Sequence, residues 1–142
     1  MKKLLLGTVA LCMGAWMMSC GCSNKANGTF VFNGKWTIVS VNGYQLGKME
    51  NTPFLDFNAA GKRVNGNAGC NIINGDYSQG KGEKASLKFG DMLSTMMACP
   101  DGNTERKILD AIGKVSKYQV NKDGTASLLD ASGKEVLKLK NK

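Results

Sequence analysis

The chain has 142 residues, enough for one domain, and none is histidine, which removes Ser-His-Asp and Cys-His catalysis and most zinc sites. Lysine and arginine number 19 against 11 acids, a net charge of +8. The cations are scattered and only Arg63 and Arg106 are arginines, so nothing marks a nucleic-acid surface and no nucleic acid is expected as a partner.

The N-terminus reads as a targeting segment. Lys2 and Lys3 precede an apolar run from Leu4 to Met18, broken only by small residues such as Gly7, Thr8 and Gly14. A spanning helix needs about 20 apolar residues, so this run fits the hydrophobic part of a secretory signal instead. Met17-Met18-Ser19-Cys20-Gly21 resembles the bacterial lipobox, loosely at the methionines and well at Ser19 and Gly21. The likeness implies a signal peptide over 1–19, lipidation at Cys20 through diacylglycerol, and an acyl chain such as palmitate on the new amine. The plainer alternative is an ordinary signal with Cys20 incidental. Two or three acyl chains anchor firmly, at about 0.8 kcal/mol per buried CH₂, where one holds marginally. Residues 20–33 read as the lipidated tether, rich in Ser, Asn, Gly and Lys, with an apolar patch at Phe30–Phe32 that is open to reading as a first edge strand. The mature chain keeps a charge of about +6.

From residue 34 to 142 the pattern predicts one domain of short strands. Trp36, Ile38 and Ser40 alternate with Thr37, Val39 and Val41, and Asn42-Gly43 supplies a tight hairpin turn. Phe54, Leu55 and Phe57 form a second run, Ala59 to Lys62 its turn, and Arg63 to Asn67 the return strand. Tyr77 marks another strand, Gly80-Lys81-Gly82 a loop, and Ala85 to Phe89 a further strand. A helix follows at about 103 to 116, with Asp101 or Asn103 as cap, Glu105 near its positive end, and a stripe of Ile108, Leu109, Ile112 and Val115. Strands resume at Tyr118 and Val120, then turn at Lys122-Asp123-Gly124 and again at Ser132-Gly133-Lys134. Many short strands with one helix predict a mainly β (α+β) fold: a curved antiparallel sheet forming a partly open barrel.

Three thiols remain after the signal: Cys22, Cys70 and Cys99. Two thiols in one small exported domain point to a disulfide between Cys70 and Cys99, with two buried free thiols as the alternative. No Cys-x-x-Cys or activating His accompanies either, so a redox-active thiol is not expected. Cys22 is odd and has no assigned role. The acids are spread singly, and no metal site or cofactor is expected.

Gly69-Cys70-Asn71 followed by Asn74-Gly75-Asp76-Tyr77 resembles the GCN-x-x-x-G-x-Y signature of the META domain, the family of the heat-shock protein HslJ. Gly34-Lys35-Trp36, Pro53 to Phe57, Arg63 to Gly66 and Leu93 to Cys99 resemble four further family segments, in order and with matching gaps. The resemblance implies a cracked barrel with one packed helix, and no shared reaction. Its signature, Trp36, Gly69, Asn71, Asn74, Gly75, Tyr77 and Thr95, reads as structural: glycines for positive φ or close approach, asparagines for turns, and large rings for filling. A partner patch built from Asn71, Asn74, Tyr77, Thr95 and Met97 is the functional alternative. Met96 and Met97 are expected in core or edge packing.

The sequence therefore predicts a non-enzymatic cell-envelope lipoprotein, monomeric, acting as an interaction or stress-tolerance factor. Its partners would be a membrane, through the lipid, and an envelope protein. The alternative is a carrier or pilot that holds a lipid or hydrophobic segment in the open barrel. An apolar lining would favour that alternative, and an interior filled by Trp36, Phe54, Phe57, Tyr77 and Phe89 would count against it. Gly21, rather than Asp, after Cys20 predicts the outer membrane. The lack of acids from Gly21 to Lys25 predicts its periplasmic face.

Overall fold

The computed structural model describes residues 30–80 and 85–141. The expected signal peptide, Cys20, Cys22, the expected tether up to residue 29 and the loop at Lys81-Gly82 lie outside the described residues. The strands are β1 (Gly34–Val41), β2 (Tyr44–Gln45), β3 (Phe54–Asn58), β4 (Arg63–Asn67), β5 (Ile72–Gln79), β6 (Leu87–Phe89) and β7 (Leu93–Ser94). After the helix α1 (Gly102–Lys114) come β8 (Lys117–Val120), β9 (Thr125–Leu129) and β10 (Glu135–Asn141).

One antiparallel sheet runs in the order β6-β5-β4-β3-β1-β10-β9-β8, with β2 against β1 and β7 against β5. Its two ends nearly meet. Leu87 N donates to Ser116 O at 3.1 Å and Tyr118 N to Ala85 O at 2.8 Å, leaving a barrel with one seam. Asn42 and Gly43 both take positive φ, 49° and 84°, as the tight β1–β2 hairpin requires.

The inner face follows the strand alternation. Ile38, Leu55, Phe57, Val64, Ile73, Tyr77, Leu128 and Leu139 point into the core. Two bulges shift this parity. One lies between Ile38 and Ser40 and the other between Glu135 and Leu137, and both Val41 and Val136 are consequently buried. Phe54 is not an interior filler. It is three residues from Phe57, so it turns outward, where Lys35 Nζ sits 3.6 Å from its ring centroid.

The helix starts at its expected cap. Asp101 accepts from Thr104 N at 3.2 Å and from Thr104 Oγ1 at 2.7 Å. Ile108, Ala111 and Ile112 are buried as α1 packs on β10 and β1.

The segment from Phe30 to Asn33, counted with the tether in the sequence, belongs to the folded body. Phe32 is fully buried, its ring 4.9 Å from Phe57, 5.3 Å from Trp36 and 5.2 Å from Tyr118 between centroids. Gln79 brackets the segment's backbone, donating to Phe30 O at 2.7 Å and accepting from Phe32 N at 3.0 Å. Tyr77 Oη donates to Phe32 O at 3.2 Å. The segment is thus an aromatic plug rather than an edge strand, because full burial of Phe32 is worth roughly 1.5 to 3 kcal/mol over a solvated leash, with a smaller gain from the partly buried Phe30.

Candidate functional site

At the other end of β5 the chain makes a tight turn and meets the helix. Asn67 builds the turn: its Oδ1 accepts from Gly69 N at 2.6 Å and its Nδ2 donates to Cys70 O at 3.1 Å. Gly69 takes φ +113°, a conformation that side chains rarely allow. The turn delivers Asn71, only 5 % exposed, to the centre of a polar cluster.

Asn71 uses every polar atom it has toward that cluster except its carbonyl, which closes the turn by accepting from Ala68 N at 3.1 Å. Its backbone N donates to Glu105 Oε1 at 2.8 Å, and its Nδ2 donates to Glu105 Oε2 at 2.9 Å. Its Oδ1 accepts from Thr95 Oγ1 at 2.7 Å and from Met97 N at 2.8 Å. Thr95 Oγ1 in turn accepts from Ile72 N at 3.1 Å. One side chain therefore ties β5, the 95–99 loop and the first turn of α1 together. Cys70 and Cys99 bridge the same two segments as a disulfide, with Cα atoms 6.0 Å apart.

Glu105 escapes the sequence reading, which assigns it to the helix dipole. It is 7 % exposed and accepts two hydrogen bonds from Asn71. A signal was present: Glu105, Ile108 and Ile112 fall at i, i+3 and i+7, so the carboxylate lies on the apolar stripe and needs buried donors.

The remaining signature residues divide by role. Gly75 allows a close crossing, since a Cβ there would meet Met92 Sδ at 2.6 Å and Asp91 O at 2.9 Å. Trp36 and Tyr77 fill the barrel, and burial pushes the Tyr77 phenol above its ordinary pKa. Asn74 lies mid-β5 opposite Asn65 and Leu93, away from the Asn71 cluster, and builds no turn. The Asn71 side chain bonds across the fold, to Thr95, Met97 and Glu105, and leaves the turn to its backbone carbonyl. The partner patch read from the signature does not assemble, because Asn71 and Tyr77 are buried.

What the cluster presents outward is apolar. Met96 is 98 % exposed, Leu93 65 %, Ile72 56 % and Met97 54 %, so neither methionine packs in the core. The bond from Met97 N to Asn71 holds the loop backbone inward and leaves the side chains in water. Thr95 is exposed as a residue while its hydroxyl is spent on Asn71 and Ile72. Chemically the cluster is a brace: its carboxylate is occupied by amide donors and its sulfurs are joined. Among the described residues no three His, Cys, Asp or Glu side chains converge to hold a metal ion. Along the seam lies a groove of about 600 Å³, lined by Ala85, Ser86, Ser116, Lys117, Tyr118 and Gln119 among others.

A family model described as META domain matches residues 29–142. Its start agrees with the aromatic plug, one residue before Phe30. The fold is similar to that of a protein solved by NMR, at TM-score 0.58 and 20 % identity, covering 76 % of this chain and 88 % of that one. A protein from Burkholderia xenovorans, also solved by NMR, gives TM-score 0.57 at 20 % identity over 78 % of this chain and 82 % of that one. A DUF4847 family protein from Bacteroides vulgatus gives TM-score 0.56 at 12 % identity over 78 % of this chain and 93 % of that one. No curated protein matches the sequence.

Proposed function

The chain belongs to the META domain family, and from that premise we propose that it is a lipid-anchored, non-enzymatic module of the cell envelope that works through its outer surface. It is held at the periplasmic face of the outer membrane by acyl chains on Cys20 and acts there as an interaction or stress-tolerance factor. The observation that carries this reading is the filled interior. Phe32, Trp36, Phe57 and Tyr77 occupy the barrel with rings 4.9 to 5.3 Å apart, which leaves surface rather than cavity for recognition. The carrier reading loses support for the same reason, and what is left to it among the described residues is surface grooves such as the one along the seam.

Metabolic labelling with an alkyne fatty acid, followed by fractionation, tests the proposal. Wild type is expected to be labelled and to sediment with outer membranes, and Cys20→Ala to lose both properties. Unlabelled wild type in the soluble periplasm would end the anchored reading. Lipid retained by the purified full chain in native mass spectrometry would favour the carrier instead.

A further inference from the structure

Resting on that anchored reading, we infer that the free edge of β7 and the apolar side chains beside it receive an extended, uncharged segment of a partner protein, which adds to the sheet as a strand. Thr95 N donates to Ile72 O at 3.1 Å. Bonded and non-bonded pairs alternate in an antiparallel ladder, so at the next pair, Ile73–Ser94, the N–H and C=O of Ser94 point away from β5. Among the described residues no strand pairs with β7 on that side. Ile72 and Leu93 share the outer face of this pair, and Met96 and Met97 continue from it. Methionine suits a surface that adapts to its occupant.

Three observations select the occupant. The first is charge. The segments that carry this face, residues 66–75 and 92–100, hold no charged side chain in a chain where 21 % of residues are charged, and Asp76, the next outward residue of β5 beyond Asn74, is paired with Arg63 at 3.2 Å. An uncharged face fits an uncharged segment and gives an acidic or basic one no partner. The second is size. The four exposed apolar side chains fall far short of the roughly 20 to 30 residues a side of a stable globular interface, which disfavours a second copy of the chain. The third is position. The tether enters at Phe30, beside Gln79, whereas Ile72 lies at the opposite end of β5, about 23 Å away at about 3.3 Å per residue. The patch therefore lies at the end of β5 opposite the one where the tether joins the folded body, clear of the chain that leads to the anchor. Strand addition suits the place: main-chain bonds to an edge give affinity, and alternate side chains meet the apolar face.

The test is photocrosslinking in intact cells with benzoylphenylalanine placed at Met96 in the full lipidated chain, with the same group at Lys122 in the β8–β9 turn as comparison. The attachment site is then read by mass spectrometry. The expected adduct from position 96 maps to one uncharged, extended segment of an envelope protein and is absent from position 122. Ser94→Pro removes the outward N–H without touching the ladder to β5, and is expected to lower the adduct about fivefold or more. Protease resistance of the unreduced chain confirms that this variant is folded. Leu93→Asp serves the same purpose should Ser94→Pro fail that check. Adducts to lipid alone, a product of twice the chain's mass, equal yield from positions 96 and 122, or an adduct untouched by the folded variant would each overturn the inference. Fractionation of the same cells separates the two proposals: a chain absent from the membrane fails the anchored reading, whereas an anchored chain without a specific adduct fails only this one.

Discussion

The two ends of β5 are fastened by different physics. At Ile72 the strand is tied by a disulfide and by hydrogen bonds converging on Asn71 and Glu105. At Gln79 it is tied by buried rings, with two phenols and one amide capping the plug's backbone. The aromatic end gains its stability from area removed from water, which any well-packed filler could supply. The braced end gains its stability from directional bonds, which fix one loop geometry. A loop that must hold Met96 and Met97 in water, beside the exposed Ile72 and Leu93 of β5 and β7, needs the second kind of fastening, because the hydrophobic effect alone would fold those side chains inward.

Phe32→Ala tests this contrast most severely. It empties the centre of the aromatic end and is expected to cost about 3 to 5 kcal/mol in denaturant unfolding. The loss should be global, with amide protection falling at both ends. The disulfide comes next. Cys70 and Cys99 are 29 residues apart, and the chain-entropy estimate for such a loop is about 3.5 kcal/mol. Its removal by Cys70→Ser/Cys99→Ser is expected to lower global stability by about that amount, and to raise amide exchange in residues 93–99 beyond the loss seen in the Phe32 region, because the braced end also opens locally. Equal loss at both ends would erase the distinction between them.

Asn71→Ala is expected to cost about 3 kcal/mol, since it leaves a buried carboxylate short of donors. In a double-mutant cycle with Glu105→Gln the two changes should couple by about 1 to 3 kcal/mol. Additive effects would mean that the pair does not brace the loop. Gly75→Ala is expected to cost about 1 to 3 kcal/mol, because the new methyl must displace Met92 and the backbone at Asp91. Met92→Ala in the same chain should recover part of that loss, and a lack of recovery would place the obstruction at the Asp91 carbonyl instead.

Legibility in the sequence follows the same division. Features with a local cause were readable. Asp101 caps α1, Asn42-Gly43 turns the first hairpin, and Leu55 with Phe57 marks the inner face of β3, because each signal lies within a few residues of its effect. Cys70 and Cys99 were readable as a pair because the folded part offered no other thiol. Features made by long-range contact were not. β7 has two residues and exists because it docks on β5. Glu105 meets Asn71 across 34 positions, so helix-dipole reasoning saw only its own turn. Met96 and Met97 read as core or edge packing by composition, and the bond that Met97 N donates to the distant Asn71 leaves their side chains outward. The two bulges break the alternation that strand reading relies on, and Phe30–Phe32 looked like leash because the rings that receive it come from elsewhere in the chain.

The smallest expected effect separates the two kinds of fastening by pH. Asp101, Asp123 and Asp130 sit in caps and turns where side-chain hydroxyls first, and backbone N–H groups second, hold their carboxyls below the ordinary 3.8. A depressed folded value means stability that is present above about pH 4 and lost as pH falls through the folded value. Tyr77 runs the other way. Burial holds its phenol above 10.0, so its contribution is complete below that value and is lost as pH rises through the folded one. Turn and cap bonds should therefore set the acid limit, and the aromatic end the alkaline limit. Melting temperatures from pH 2.5 to 11 check both limbs. Replacing the three aspartates with asparagine, which keeps Asp101's capping ability, should flatten the acid limb alone. Tyr77→Phe should flatten the alkaline limb alone, at the cost of the bond to Phe32 O. If Tyr77→Phe leaves the alkaline limb as steep as before, the ring at position 77 is not what titrates the aromatic end.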